Sequence, residues 1–153
     1  MSNVNAKLKE MNVVLPPVPP LAGLYTPIRQ MGNILYVSGQ GPTVNGIPLL
    51  RGKLGTLSVE QGQFAARHCA LNALSNLKSY LGNLDKLKGV VKTLGFVASD
   101  IGFGRQPEVV NGCSEFLKEL FGTEDGIGAR SAIGVAQLPD DIPVEIEFIF
   151  ELE

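Results

Sequence analysis

Arg130, Glu145 and Glu147 are the residues whose types and spacing could do chemistry. A guanidinium is always charged and forks onto a carboxylate through two parallel hydrogen bonds. Two glutamates near one arginine would leave a carboxylate available to orient or deprotonate a water. The blander alternative is that Arg130 pairs with Glu145 or Glu147 as a structural bridge. Pattern alone modestly favours that alternative, because a charge on a half-buried strand is costly unless paired. Glu147 can equally be a solvated charge.

The remaining chemistry-bearing residues are few. His68 is the sole histidine. On a helical wheel it lies opposite an alanine-leucine stripe, so it is expected to face solvent or a partner. A serine-histidine-aspartate arrangement would have to use it, and no Gly-x-Ser-x-Gly is present. A histidine-based metal site has too few ligands, so no metal is expected. Cys69 and Cys113 read as buried thiols without an activating partner. Gly39-Gln40-Gly41 is not a dinucleotide fingerprint, since a loop rather than a helix follows. It could still present backbone groups to a ligand. Asn111 is turned away from the buried face of its helix and reads as solvated. Tyr25 reads as amphipathic packing at a hairpin edge.

These residues need elements to hold them. Two alternating runs meet around a Pro- and Asp-rich turn. In the first, Ser131, Ile133 and Val135 share a face opposite Arg130, Ala132, Gly134 and Ala136. In the second, Val144, Ile146, Phe148 and Phe150 share a face opposite Glu145, Glu147, Ile149 and Glu151. If the branched apolar faces join one core, Arg130 and the glutamates lie together on the other face.

Upstream, residues 1–11 read as a loose or short helical lead. Residues 15–23 carry four prolines, which bar both a ladder and a helix interior. Residues 1–20 are therefore an arm, and 21–153 a single domain. Residues 24–31 and 34–38 form strands across a Gly32-Asn33 turn. Residues 43–56 form a long loop. Ser58 opens a helix with Gln61 completing a capping box, and Gly82 ends it. Residues 87–98 form a strand, with Val90, Lys92, Leu94 and Phe96 on one face. Pro107 begins a second helix that Gly122 closes.

The order is ββαβαββ in an α+β domain. Right-handed crossovers place both helices on one face of one sheet. Strands 34–38 and 90–98 are apolar on both sides, yet two helices cover only one. Self-association is the simplest cover for the other.

The chain of 153 residues, 44% of them hydrophobic, is long and apolar enough for one full core. Its net charge of -2 lacks the basic footprint of a nucleic-acid binder, so a nucleic-acid partner is not expected. The N-terminus has no long apolar stretch, so neither signal peptide nor membrane anchor is expected. The two cysteines fit reduced thiols in the cytoplasm.

Ala129-Arg-Ser, Val135-Ala-Gln-Leu-Pro139 and Val144-Glu-Ile-Glu147 resemble the C-terminal signature of the reactive-intermediate deaminase family (Rid, or YjgF-type). Gly23-Leu-Tyr25, Tyr36-Val-Ser-Gly-Gln40 and Val109-Val-Asn111 resemble further landmarks of it, in the same order. The resemblance spans roughly 21–151 and implies a mixed sheet with two helices on one face, as in trimeric chorismate mutase. It implies a homotrimer with sites in the clefts between subunits and no cofactor. The implied reaction hydrolyses an amino-acid-derived enamine or imine to a 2-keto acid and ammonia. Arg130 would bind the carboxylate and Glu145 position the water. Tyr25, Ser38, Gly39, Asn111 and Ala132 would line the pocket, some from a neighbouring subunit. Ala132 stands where the deaminases often carry cysteine. With the long loop and the arm, this marks a divergent branch. A non-catalytic protein that senses or binds keto acids in the same clefts is the alternative. An endoribonuclease fits the charge balance less well, and chorismate-mutase activity is a fold analogy only.

Overall fold

A computed structural model describes residues 3–153. Helix α1 (Val4–Glu10) opens the described chain and buries Val4 and Leu8 in the main core. An extended stretch then leads to strands β1 (Ile28–Met31) and β2 (Ile34–Gln40). Gly32 has φ 61 in the turn between them, a conformation open to glycine at little steric cost. The register places Met31 opposite Ile34.

The segment expected as a plain loop carries a small hairpin, β3 (Thr43–Val44) and β4 (Ile47–Pro48). Two-residue strands leave no periodicity to read. Helix α2 (Val59–Leu81) has the expected capping box between Ser58 and Gln61, and Gly82 caps it at φ 75. Strand β5 (Leu87–Ala98) follows, then α3 (Gln106–Gly126), in which Gly122 breaks the helical backbone at φ 84. Strands β6 (Ala129–Val135) and β7 (Val144–Leu152) complete the chain.

Five strands form one mixed sheet in the order β1-β2-β7-β5-β6. The β5–β6 pair is parallel and the others are antiparallel. Helices α2 and α3 pack on one face, over Leu35, Val37, Val97, Ile146, Phe148 and Phe150. The fold is thus the α+β arrangement expected. Its other face is uncovered within the chain: Tyr36 and Ile133 are each 43% exposed, beside half-buried Leu94, Phe96 and Ile149.

Two strands depart from the faces that their alternating pattern predicts. In β5, Val90 pairs with Phe150 but Lys92 pairs with Ile149, so Val91 is an extra residue in a bulge. The bulge reverses the parity of the strand. Val90 therefore sits under the helices with Thr93, Gly95 and Val97, while Lys92, Leu94 and Phe96 take the open face.

In β6 the expected faces are inverted. Arg130 pairs with Thr93 and Ala132 with Gly95, under the helices, whereas Ser131 and Ile133 lie on the open face. The branched residues are a poor guide because the uncovered face is itself apolar. Glu145 pairs with Phe96 and Glu147 with Leu94, on that open face. Arg130 and the two glutamates thus occupy opposite faces of the sheet, not one.

Candidate functional site

The conversion of β2 into a turn builds the surroundings of Glu145. Val37 pairs with Phe148, but Gln40 pairs with Ile146, so β2 spends three steps where β7 spends two. The resulting bulge at Ser38-Gly39 re-aims the backbone toward Glu145. A Cβ on Gly39 would lie 3.0 Å from Glu145 Cδ and 3.1 Å from Oε2. A side chain at this position would push the Glu145 carboxylate aside by a few tenths of an ångström. Gly39→Ala is expected to displace that carboxylate in a protein that still folds, and a carboxylate left in place in the structure of the variant would refute the need for close approach.

Ser38 secures the bulge. Its hydroxyl donates to the Thr26 carbonyl at 2.7 Å, and its N–H donates to the Pro27 carbonyl at 3.0 Å. The extended stretch before β1 is thereby tied to β2. Further back, Ser75 Oγ donates to the Pro16 carbonyl at 2.8 Å, which lays the proline-rich segment along α2. That segment walls a cavity of about 130 Å³ containing Tyr25, Gly39, Gln40, Asn76 and Glu145. Pro139, Asp140 and Ile142, from the turn between β6 and β7, close its far side.

Asp140 and Asp141 both hold positive φ, 54 and 59, a conformation that disfavours most side chains. Backbone acceptors anchor the turn. Arg51 Nη1 donates to the Asp140 carbonyl at 2.7 Å and the Gly52 N–H to that of Asp141 at 2.8 Å. The 43–56 segment thus buttresses the cavity instead of hanging free. Burial, and secondarily the charge of Glu147, raises the Glu145 carboxyl above its ordinary value. A glutamate raised in this way exchanges a proton more readily near neutral pH.

A second site lies on the helix face of the sheet. Arg130 Nη1 donates to Asn111 Oδ1 at 2.7 Å and to Ser114 Oγ at 3.2 Å. Asn111 and Ser114 are three apart on α3 and so share a helix face. Neither is charged, so the guanidinium is oriented without being neutralised. The Arg130 bridge to Glu145 or Glu147 is therefore not made, and Asn111 is a partly buried partner of Arg130 instead of a solvated residue. Arg130, Asn111 and Ser114 border a hollow of about 340 Å³ with Thr93 and Ile127.

The site residues expected from sequence thus divide into two groups. Tyr25, Gly39 and Glu145 line one cavity, with Ser38 holding its backbone. Arg130 and Asn111 line the other. Ala132 shares the face of Arg130 and packs against the main core.

Sequence reasoning missed Gln40, Asn76 and Ser114. A polar stripe on α2 at His68, Asn72 and Asn76, spaced by four, was a legible signal for a helix face that meets backbone carbonyls. Asn72 Nδ2 donates to the carbonyls of Gly41 and Thr43 at 2.8 and 2.9 Å. His68 Nε2 lies 3.1 Å from the same Thr43 carbonyl. His68 is accordingly half-buried, with one ring nitrogen engaged by a backbone carbonyl, and burial lowers its pKa.

Cys69 and Cys113 are buried free thiols. Burial pushes the Cys113 thiol up to about 12 and raises that of Cys69 well above its usual value. Neither is a nucleophile at neutral pH. Among the described residues, no three of His, Cys, Asp and Glu converge as metal ligands, and no helix is long and apolar enough to cross a membrane.

Among known proteins, residues 5–140 match the family described as "YjgF/chorismate mutase-like, putative endoribonuclease". The chain is 41% identical over 150 residues to Protein TCP17 of Trypanosoma cruzi, covering 97% of this chain and 94% of the relative. It is 31% identical over 140 residues to the 2-iminobutanoate/2-iminopropanoate deaminase of Dermatophagoides farinae, covering 90% and 93%. A crystal structure of a protein of unknown function from Agrobacterium tumefaciens superposes with a TM-score of 0.87 at 40% identity. That superposition covers 98% of this chain and 92% of the other.

Proposed function

The chain belongs to the YjgF/chorismate-mutase-like family, and on that premise we propose that it is a cytoplasmic, cofactor-independent deaminase of imines derived from amino acids. One observation carries the reading: the chain holds two complementary half-sites on opposite faces of its sheet. One offers a carboxylate, Glu145, beside a cavity, its pKa raised by burial. The other offers a guanidinium, Arg130, oriented by neutral partners. Each lacks what the other has. A homotrimer, in which the Arg130 half of one subunit faces the Glu145 half of the next, would complete three sites. The uncovered apolar sheet face supports such an assembly. A monomer by light scattering at micromolar concentration would defeat it.

The chemistry follows from the groups. Arg130 grips the carboxylate of a 2-imino acid and fixes the C=N carbon against Glu145. Glu145 takes a proton from water as the oxygen bonds to that carbon. That proton passes to nitrogen to give a carbinolamine. Glu145 then takes the carbinolamine hydroxyl proton and returns it to the nitrogen as the C–N bond breaks, so that ammonia leaves a 2-keto acid. An enamine reaches the same route after tautomerising to the imine. The deaminase relative supports this reading by its name. The free buried thiols fit a reducing compartment.

The test is release of ammonia and keto acid from freshly generated 2-aminoacrylate and larger imines, measured against the uncatalysed rate. Acceleration is expected. A folded trimer that accelerates none of them would contradict the enzyme and favour keto-acid binding without turnover.

A further inference from the structure

The cavity beside Glu145 ends on two buried primary amides. Asn76, from α2, is 4% exposed and Gln40, at the end of β2, is 7% exposed. Both line the same cavity as Glu145. Asn76 Nδ2 donates to Gln40 Oε1 at 3.2 Å and to the Asn72 carbonyl at 3.1 Å. Gln40 Nε2 donates to the Ser38 carbonyl at 3.0 Å. These bonds use both hydrogens of the Asn76 amide but one of the two on Gln40. Asn76 Oδ1 takes part in none of them. The pair therefore keeps one donor, the second Gln40 Nε2 hydrogen, and one acceptor, Asn76 Oδ1, on two residues that line the cavity, while Pro20, Leu21, Ala22 and Ile142 supply apolar walls.

We propose that this cavity is the side-chain subsite for the substrate, and that Gln40 and Asn76 select a side chain ending in a carboxamide. The assignment of the reacting end rests on the deaminase reading. The selection rests on the amides. A carboxamide presents its carbonyl to the Gln40 N–H and its own N–H to Asn76 Oδ1. A carboxylate brings acceptors only and meets Asn76 Oδ1, with Asp140 and Glu145 also lining the space. An ammonium brings donors only and leaves the Gln40 N–H opposed. A branched alkyl group of the same shape leaves both amide edges unpaired in a confined space, which a built hydrogen-bonding pocket penalises strongly.

The experiment uses three 2-oxo acids of matched shape, with carboxamide, isobutyl and carboxylate side chains. Their binding to the native protein is measured by calorimetry, and hydrolysis of the corresponding imines is followed in parallel. The carboxamide compound is expected to bind at least about tenfold more tightly than the isobutyl one. Asn76→Leu and Gln40→Leu should bring that ratio close to one or reverse it. Equal or tighter binding of the isobutyl or carboxylate compound by the native protein would overturn the proposal, and so would failure of all three to bind. Equal weakening of all three by folded Asn76→Leu would reduce the amides to a brace for the bulge, and would also overturn it. The two readings fail separately. Hydrolysis of imines without carboxamide preference sinks the subsite alone, and carboxamide-selective binding without hydrolysis of any imine sinks the deaminase alone. Should either variant fail to fold, the native series decides.

Discussion

Replacing Arg130 with alanine is expected to lower kcat/KM for a small 2-imino acid by about 10²- to 10³-fold, with the protein still folded. The magnitude is that of losing a positioned charge from a carboxylate held away from bulk water. The tolerance of the fold has a local reason. Arg130 is only partly buried, and its described hydrogen-bond partners, Asn111 and Ser114, are neutral and themselves partly exposed. Removing the guanidinium strands no buried opposite charge, which is the usual source of a large stability penalty. Arg130→Lys should recover only part of the rate. An ammonium keeps the charge but cannot fork onto a carboxylate while also holding Asn111. Steady-state kinetics on the native protein and both variants, beside their thermal unfolding, checks this. Wild-type kcat/KM in folded Arg130→Ala would remove the carboxylate-binding role.

Glu145→Gln should act on two observables in opposite directions. Turnover is expected to fall by about 10²- to 10⁴-fold, the range for losing a positioned general base. Stability at neutral pH is expected to rise. Burial and the neighbouring Glu147 raise the folded-state pKa of Glu145. The folded state therefore binds this proton more tightly than the unfolded state does. Stability from this group is present below the unfolded pKa and is lost as pH rises through the folded one. At neutral pH the ionised carboxylate is a burden that a neutral amide removes. Denaturant unfolding of the two proteins at neutral and at acidic pH tests the sign: the gap should close as pH falls. A Glu145→Gln variant less stable than the native protein at neutral pH would contradict the origin assigned to the shift.

The elements that position these residues are readable wherever one local rule decides. Ser58 with Gln61 marks the start of α2 and Gly82 its end. Gly32-Asn33 marks the first hairpin, and Leu87 and Ala98 bound β5. The ββαβαββ order and the uncovered sheet face follow from those elements. What fails does so for physical reasons. The bulge at Val91 adds one residue to β5, and a strict period of two carries every side chain beyond it to the wrong face. In β6, Ile133 reads as a marker of the core, but the outer sheet face is apolar as well. Asn111 reads as solvated because a helical wheel contains no other element, whereas its partner Arg130 arrives from β6. The division of the site into two halves follows from that face inversion and is therefore not legible in the pattern.

A site completed between subunits is the claim on which the account turns, and subunit mixing tests it most directly. Arg130→Ala and Glu145→Gln would be purified separately, each nearly inactive, then unfolded and refolded together in equal amounts. If each site takes Glu145 from one subunit and Arg130 from the next, random assembly leaves about one site in four with both native residues. Activity should then return to about a quarter of the native value per site. If both residues of a site come from one subunit, no mixed trimer contains an intact site. Activity no higher than that of the separate variants, with mixed trimers demonstrated by mass, would contradict the account.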